Sequence, residues 1–270
     1  MEQSSEIMRL AWLDSIHEIM ALGKHLSNAE WEEPTPCPGW SRKDLISHIA
    51  DLESRVLGSP GPESDHPDID IDKPHVKSAF GAFTEIGVEY RRSRTGEVIF
   101  GEFIDITNLL NEFWKLDQRD LSEKILFGGM SEIELGQLYG RRVLDVWTHS
   151  QDLRVSLGKS ATLSGPGAAY TMGIFHHSLP VVIAKRSGIT NGQSIVLRVP
   201  NYVDLAFSMN SEGRVEQVKQ LEQVTSVITM TEHQWYLYFA GREGREQDLP
   251  TIEGDQKLGQ GFLDGLAMTP

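Results

Sequence analysis

The sequence holds a single cysteine, Cys37, in 270 residues, so no disulfide can form within the chain. That fits a reducing, cytoplasmic setting. It also lacks a surplus of positive charge: 25 Lys and Arg stand against 39 Asp and Glu, a formal net charge of −14. Nucleic acids and anionic membranes both call for basic surfaces, so neither is an expected partner, and a small molecule is. No apolar run approaches the roughly 18 residues of a membrane span. The start, MEQSSEIMRL, lacks the basic-then-apolar order of a secretory signal. Internal repeats, a Walker motif, a dinucleotide glycine fingerprint and a serine-nucleophile elbow are all missing.

What is present is helical periodicity followed by β-rich alternation. Residues 6–28 repeat Met8, Trp12, Ile16, Ile19 and Leu22 at helical spacing. The run WEEPTPCPGW (31–40) carries three prolines, which predict a stiff, extended lead-in anchored by Trp31 and Trp40, with Cys37 in a structural role. Ser41 and Asp44 form a capping signature that opens a helix reaching Gly58, with Leu45, Ile49, Leu52 and Val56 on its apolar face. His48 falls on that same face and points inward. Residues 59–75 predict a loop. Its Asp68, Asp70 and Asp72 imitate the start of a calcium loop, but Lys73 stands where the glycine should be and Ala79 where the closing glutamate should be. Helical pattern resumes over 76–116, with a break near Thr95-Gly96.

The stretch 131–158 predicts a further helix, opened by a capping box at Ser131 and Glu134 and stopped at Gly158. Leu135, Leu138, Val143, Val146 and Leu153 form its apolar face, and a polar stripe of Arg142, Asp145, His149 and Asp152 runs down it. Asp145 and His149 lie four apart, so both can close on one point and act as two of the ligands a metal needs, a third having to come from elsewhere in the chain. Read on its own, the stripe favours a solvated, salt-bridged face slightly over a metal claw. Past Gly158 the pattern gives a helix at about 165–187, whose adjacent His176 and His177 diverge and read as structural. Strands at 194–200, 202–210 and 226–233 follow, then a short helix at WYLYFAGR, a strand near 249–252 and a last helix at about 255–268. The expected architecture is α plus α+β: a four-helix bundle over residues 1–160 and a smaller α+β domain over 161–270.

PTPCPGW with its following inward histidine, together with the run LDVWTHSQDLR, resembles the mycothiol-dependent maleylpyruvate isomerase family, whose bundle is similar to DinB-like metal-binding proteins. The tail (FAGRE, then IEGDQKLGQGFLDGLAMTP) resembles that family's sterol-carrier-like C-terminal domain. The resemblance implies a divalent metal, zinc being the expected ion, held by His48, Asp145 and His149. The isomerase pattern has glutamate where this chain has Asp145. It further implies Asp152 and Arg154 as supporting residues around His149, Arg242 as a cation for an acidic substrate, and mycothiol as thiol cofactor. Three protein ligands leave a position open, the mark of a catalytic metal. The reaction implied is isomerisation or S-transfer on a small electrophile through a metal-activated thiolate. A non-catalytic binding or regulatory protein and a metal-dependent hydrolase use the same three ligands and stay open at this point.

Overall fold

A computed structural model of the chain describes residues 4–127 and 132–269. These fall into two compact units, residues 1–159 with 164–170, and residues 160–163 with 171–270.

The first unit is helical. Helix α1 (Ser5–Gly23) starts where the Ser4 hydroxyl accepts from the Ile7 amide. A one-turn helix α2 (Asn28–Trp31) follows, closed by a reciprocal capping box between Ser27 and Glu30. Helix α3 (Arg42–Val56) opens with the expected Ser41/Asp44 box. The break expected near Thr95 separates α4 (Ala79–Arg91) from α5 (Gly96–Leu116), because Thr95 caps α5 by accepting from the Val98 amide. Helix α6 (Leu135–Ser156) completes a closed ring of four: α1 packs on α5 and α6, and α3 packs on the same two. Helix α4 lies against α3. The apolar stripes read from the sequence face this core. Met8, Trp12, Ile16, Leu45, Ile49, Ile99, Phe103, Leu138, Val143, Val146 and Leu153 are all buried. Each such large side chain contributes about 1.5–3 kcal/mol on leaving water.

Two expectations need correction. The start of α6 is not a capping box. Ser131 lies outside the described residues, and Glu134 is an N-cap without a side-chain cap bond. Strand β2 (Glu132–Glu134) pairs antiparallel with β1 (Lys124–Leu126), and Lys124 opposite Glu134 fixes the register. Backbone committed to a hairpin cannot also be the first turn of a helix. The 31–40 segment, in turn, is a closed loop rather than an extended lead-in. Pro34 bridges to Ser41, and Thr35 Oγ1 both donates to the Trp40 carbonyl (2.9 Å) and accepts from the Cys37 amide (3.2 Å). Gly39 makes the reversal with φ +77°, in the left-handed region.

The second unit carries a five-stranded mixed sheet ordered β5-β4-β3-β6-β7: β3 (Ser194–Val199), β4 (Val203–Met209), β5 (Val215–Val218), β6 (Ser226–Thr229) and β7 (Thr251–Gly254). Central β3 pairs antiparallel with β4 and parallel with β6. The strand expected over 226–233 ends at Thr229, since Thr231 caps α8 (Glu232–Phe239) in a reciprocal box with Gln234. Helix α7 (Pro166–Arg186) precedes the sheet and α9 (Gln256–Gly265) follows it, packing on β6 and β7. Among the described residues no helix is long and apolar enough to cross a membrane.

Candidate metal centre

Inside the ring of helices, α3 and α6 bring three expected residues together. The donor atoms of His48, Asp145 and His149 all lie within 4.8 Å of one another. His48 Nε2 stands 3.1 Å from Asp145 Oδ2 and 3.3 Å from Oδ1, and His149 Nε2 stands 3.7 Å from Oδ1. Both histidines are buried, whereas the Asp145 side chain is 20% exposed and opens the centre to solvent on one side.

Around them the supporting contacts are specific. Asp152 is buried, and its carboxylate accepts from His149 Nδ1 at 2.9 Å. A carboxylate only accepts, so Nδ1 is the nitrogen that donates and Nε2 is the one left facing Asp145. Arg154 Nη1 reaches Glu18 on α1 at 3.1 Å. The Trp40 ring lies over both imidazoles, with centroids 4.8 Å from His48 and 5.6 Å from His149. Its indole N–H donates to buried Glu85 at 2.9 Å, and Glu85 also holds His75 and Arg92. Arg242 lies in the second unit, buried, with Nη1 donating to the Ala240 carbonyl at 2.7 Å.

The electrostatics follow from burial and proximity. Burial opposes ionisation of Asp145, yet the His48 contact and the always-charged Arg142 prevail and hold its carboxyl far below the ordinary carboxylate range. Burial also lowers the pKa of His48, against the pull of Asp145, and so favours its neutral form. Neutral imidazoles and an ionised carboxylate are the forms that ligate. The donor set therefore fits a divalent cation chemically, and it fits in spacing too. Ligand atoms at about 2.0–2.2 Å from a tetrahedral ion stand about 3.3–3.6 Å apart, and Asp145 Oδ1 stands 3.3 Å from His48 Nε2 and 3.7 Å from His149 Nε2. Zinc suits two imidazoles and a carboxylate.

Three features of the centre were not legible in the sequence. Cys37 is buried beside it, and Cys37, His149 and Asp152 form a second group of donors within 4.8 Å of one another. The indole of Trp40 forms a wall of the site rather than an anchor alone. Glu53, fully buried on α3, pairs with Arg142. Each depends on contacts between elements far apart in the chain. The spacing PCPGW…H was the one signal that tied the loop to the histidine helix.

The family model described as the mycothiol maleylpyruvate isomerase N-terminal domain matches residues 12–154. Two solved structures, the mycothiol-dependent maleylpyruvate isomerase and a point mutant of it, each match with a TM-score of 0.56 and 19% identity over 92% of both chains. At that identity the likeness is one of fold, and it covers the helical unit and the sheet unit alike. No curated protein matches the chain.

Proposed function

Because the chain belongs to the mycothiol maleylpyruvate isomerase N-terminal domain family, we propose that it is a divalent-metal- and mycothiol-dependent enzyme, an isomerase or S-transferase acting on a small electrophile. The observation that carries the reading is the convergence of His48, Asp145 and His149 on one point within the helical unit. These three would hold the ion, zinc by the chemistry of the set. A bound ion would supply a lowered thiol pKa, and a bound thiol would supply a sulfur nucleophile toward an electrophilic double bond.

The chain's own residues supply the rest. Asp152 keeps the His149 proton on Nδ1, so that Nε2 stays a donor. Trp40 excludes water from one side of both imidazoles. The partly exposed Asp145 marks the side from which reactants enter. Arg154 ties α6 to α1 through Glu18. The single cysteine supports a cytoplasmic setting.

The test is turnover. Protein loaded with zinc is offered mycothiol with maleylpyruvate and with a panel of small electrophiles. Thiol-dependent isomerisation or thioether formation, abolished in His149→Ala, supports the reading. Loaded protein that turns over none of them contradicts it.

A further inference from the structure

Asp145 has two carboxylate oxygens, and the structure gives them different neighbours. His48 Nε2 is near both, at 3.1 Å from Oδ2 and 3.3 Å from Oδ1, but Oδ2 alone accepts from Arg142 Nη2, at 3.0 Å, and Oδ1 faces His149 Nε2 at 3.7 Å. Arg142 is itself fully enclosed. Its Nη2 also donates to Glu53 Oε1 at 3.1 Å, and its Nε stands 3.3 Å from both Glu53 oxygens. Glu53, 0% exposed, takes a third contact from the Trp12 indole N–H at 2.9 Å. A chain of buried polar contacts therefore runs Trp12–Glu53–Arg142–Asp145 across α1, α3 and α6. None of its first three members reaches a candidate ligand except through Arg142.

An arrangement like this is expensive as a stabilising device. Burying a carboxylate and a guanidinium costs several kcal/mol in desolvation, which their attraction offsets only with good geometry. Replacing such a pair with apolar residues is often neutral for stability. What the pair does provide is a fixed position: a planar, always-charged donor fork held at its far end and aimed at one oxygen of the neighbouring carboxylate.

We propose that Arg142, braced by Glu53, is a positioning residue that occupies Asp145 Oδ2 and so restricts Asp145 to one-oxygen coordination through Oδ1. The inference rests on the metal reading above and specifies it. Aspartate can ligate with one oxygen or with both. With Oδ2 held by Arg142, the protein gives three donor atoms (His48 Nε2, His149 Nε2 and Asp145 Oδ1), and the fourth position stays open for the thiol. If Oδ2 were free to swing inward, it would add a fourth protein donor and make the ion five-coordinate with water or thiol still bound. The short aspartate side chain makes the restraint effective, because Arg142 lies one turn before Asp145 on the same helix.

The experiment compares the wild type with Arg142→Met/Glu53→Gln. This double variant removes one charge of each sign and keeps an amide oxygen to accept from Trp12, so it avoids the unpaired buried Glu53 that Arg142→Met alone would leave. Folding is checked by circular dichroism. Each protein is loaded with Co2+, whose visible absorption is strong in four-coordinate sites and weak in five-coordinate ones, and zinc affinity is measured by chelator competition. The expected result is an intense wild-type cobalt spectrum, a folded double variant with a clearly weaker one, and zinc affinity lower by about 10- to 100-fold, the usual effect of losing a group that orients a ligand. Arg142→Lys, which restores a cation without the fork, is expected to fall between the two. A folded double variant with the wild-type spectrum and affinity overturns the inference and leaves the metal reading standing. A wild type that binds neither ion overturns both.

Discussion

His149 Nδ1 lies 2.9 Å from the buried carboxylate of Asp152, three residues further along α6, and that contact decides which nitrogen of His149 faces the centre. Asp152→Asn replaces a pure acceptor with a group that can also donate, so the imidazole is free to take either tautomer or to rotate. Divalent-ion affinity is expected to fall by about 10- to 100-fold with the fold intact. Chelator competition with circular dichroism checks this. An unchanged affinity would show that Asp152 does not orient His149.

Trp40 is one of six tryptophans, and its ring centroid stands 4.8 Å from that of His48. Binding of Co2+ at the centre should therefore quench part of the intrinsic fluorescence at one equivalent. In Trp40→Phe most of that change should vanish while Co2+ still binds. Quenching of equal size in the variant would place the ion elsewhere.

Gly39 sits at φ +77°, and a Cβ there would meet the His75 ring at 2.2 Å. Gly39→Ala combines a strained backbone with a collision against a side chain whose Nε2 holds Glu85 at 2.9 Å. A left-handed non-glycine residue costs about 1–3 kcal/mol. Thermal or denaturant unfolding should show a loss of at least that size. Metal affinity should fall with it, because the loop presents Trp40 to the histidines.

Much of this was readable in advance, and the reasons differ by residue. The stripes of α1, α3, α5 and α6 were legible because burial of one helix face imposes a 3.6-residue period on any sequence that folds this way. Asp145 and His149 were legible as a pair because four residues is one turn. His48 was legible as inward-facing, but only the family resemblance joined it to the pair. The roles of Glu53, Trp40 and Cys37 were not legible: their partners Arg142, Glu85 and His149 lie 89, 45 and 112 positions away, and no local period encodes that. The start of α6 was misread because Glu132–Glu134 pair as a strand with Lys124–Leu126, which a capping signature in the sequence does not exclude.

Asp117 supplies a pH prediction away from the centre. Its carboxylate accepts from Arg119, and although burial opposes ionisation, the Arg119 contact and the Tyr139 hydroxyl bring its pKa down from 3.8 to about 2. A carboxyl whose folded pKa is depressed contributes stability above its unfolded pKa and loses that contribution as pH falls through the folded value. The stability difference between wild type and Asp117→Asn should thus be constant near neutrality and disappear between about pH 4 and pH 2. Unfolding curves across that window test it, and a difference that persists at the acid end would contradict it.

The central claim is that His48, Asp145 and His149 hold one divalent ion, and metal content answers it most directly. The purified protein is loaded with zinc, dialysed and analysed for metal beside His48→Ala, Asp145→Ala and His149→Ala. The account requires one ion per wild-type chain and its loss in each folded variant. A wild type that retains no stoichiometric ion, or variants that retain it in full, would contradict the account.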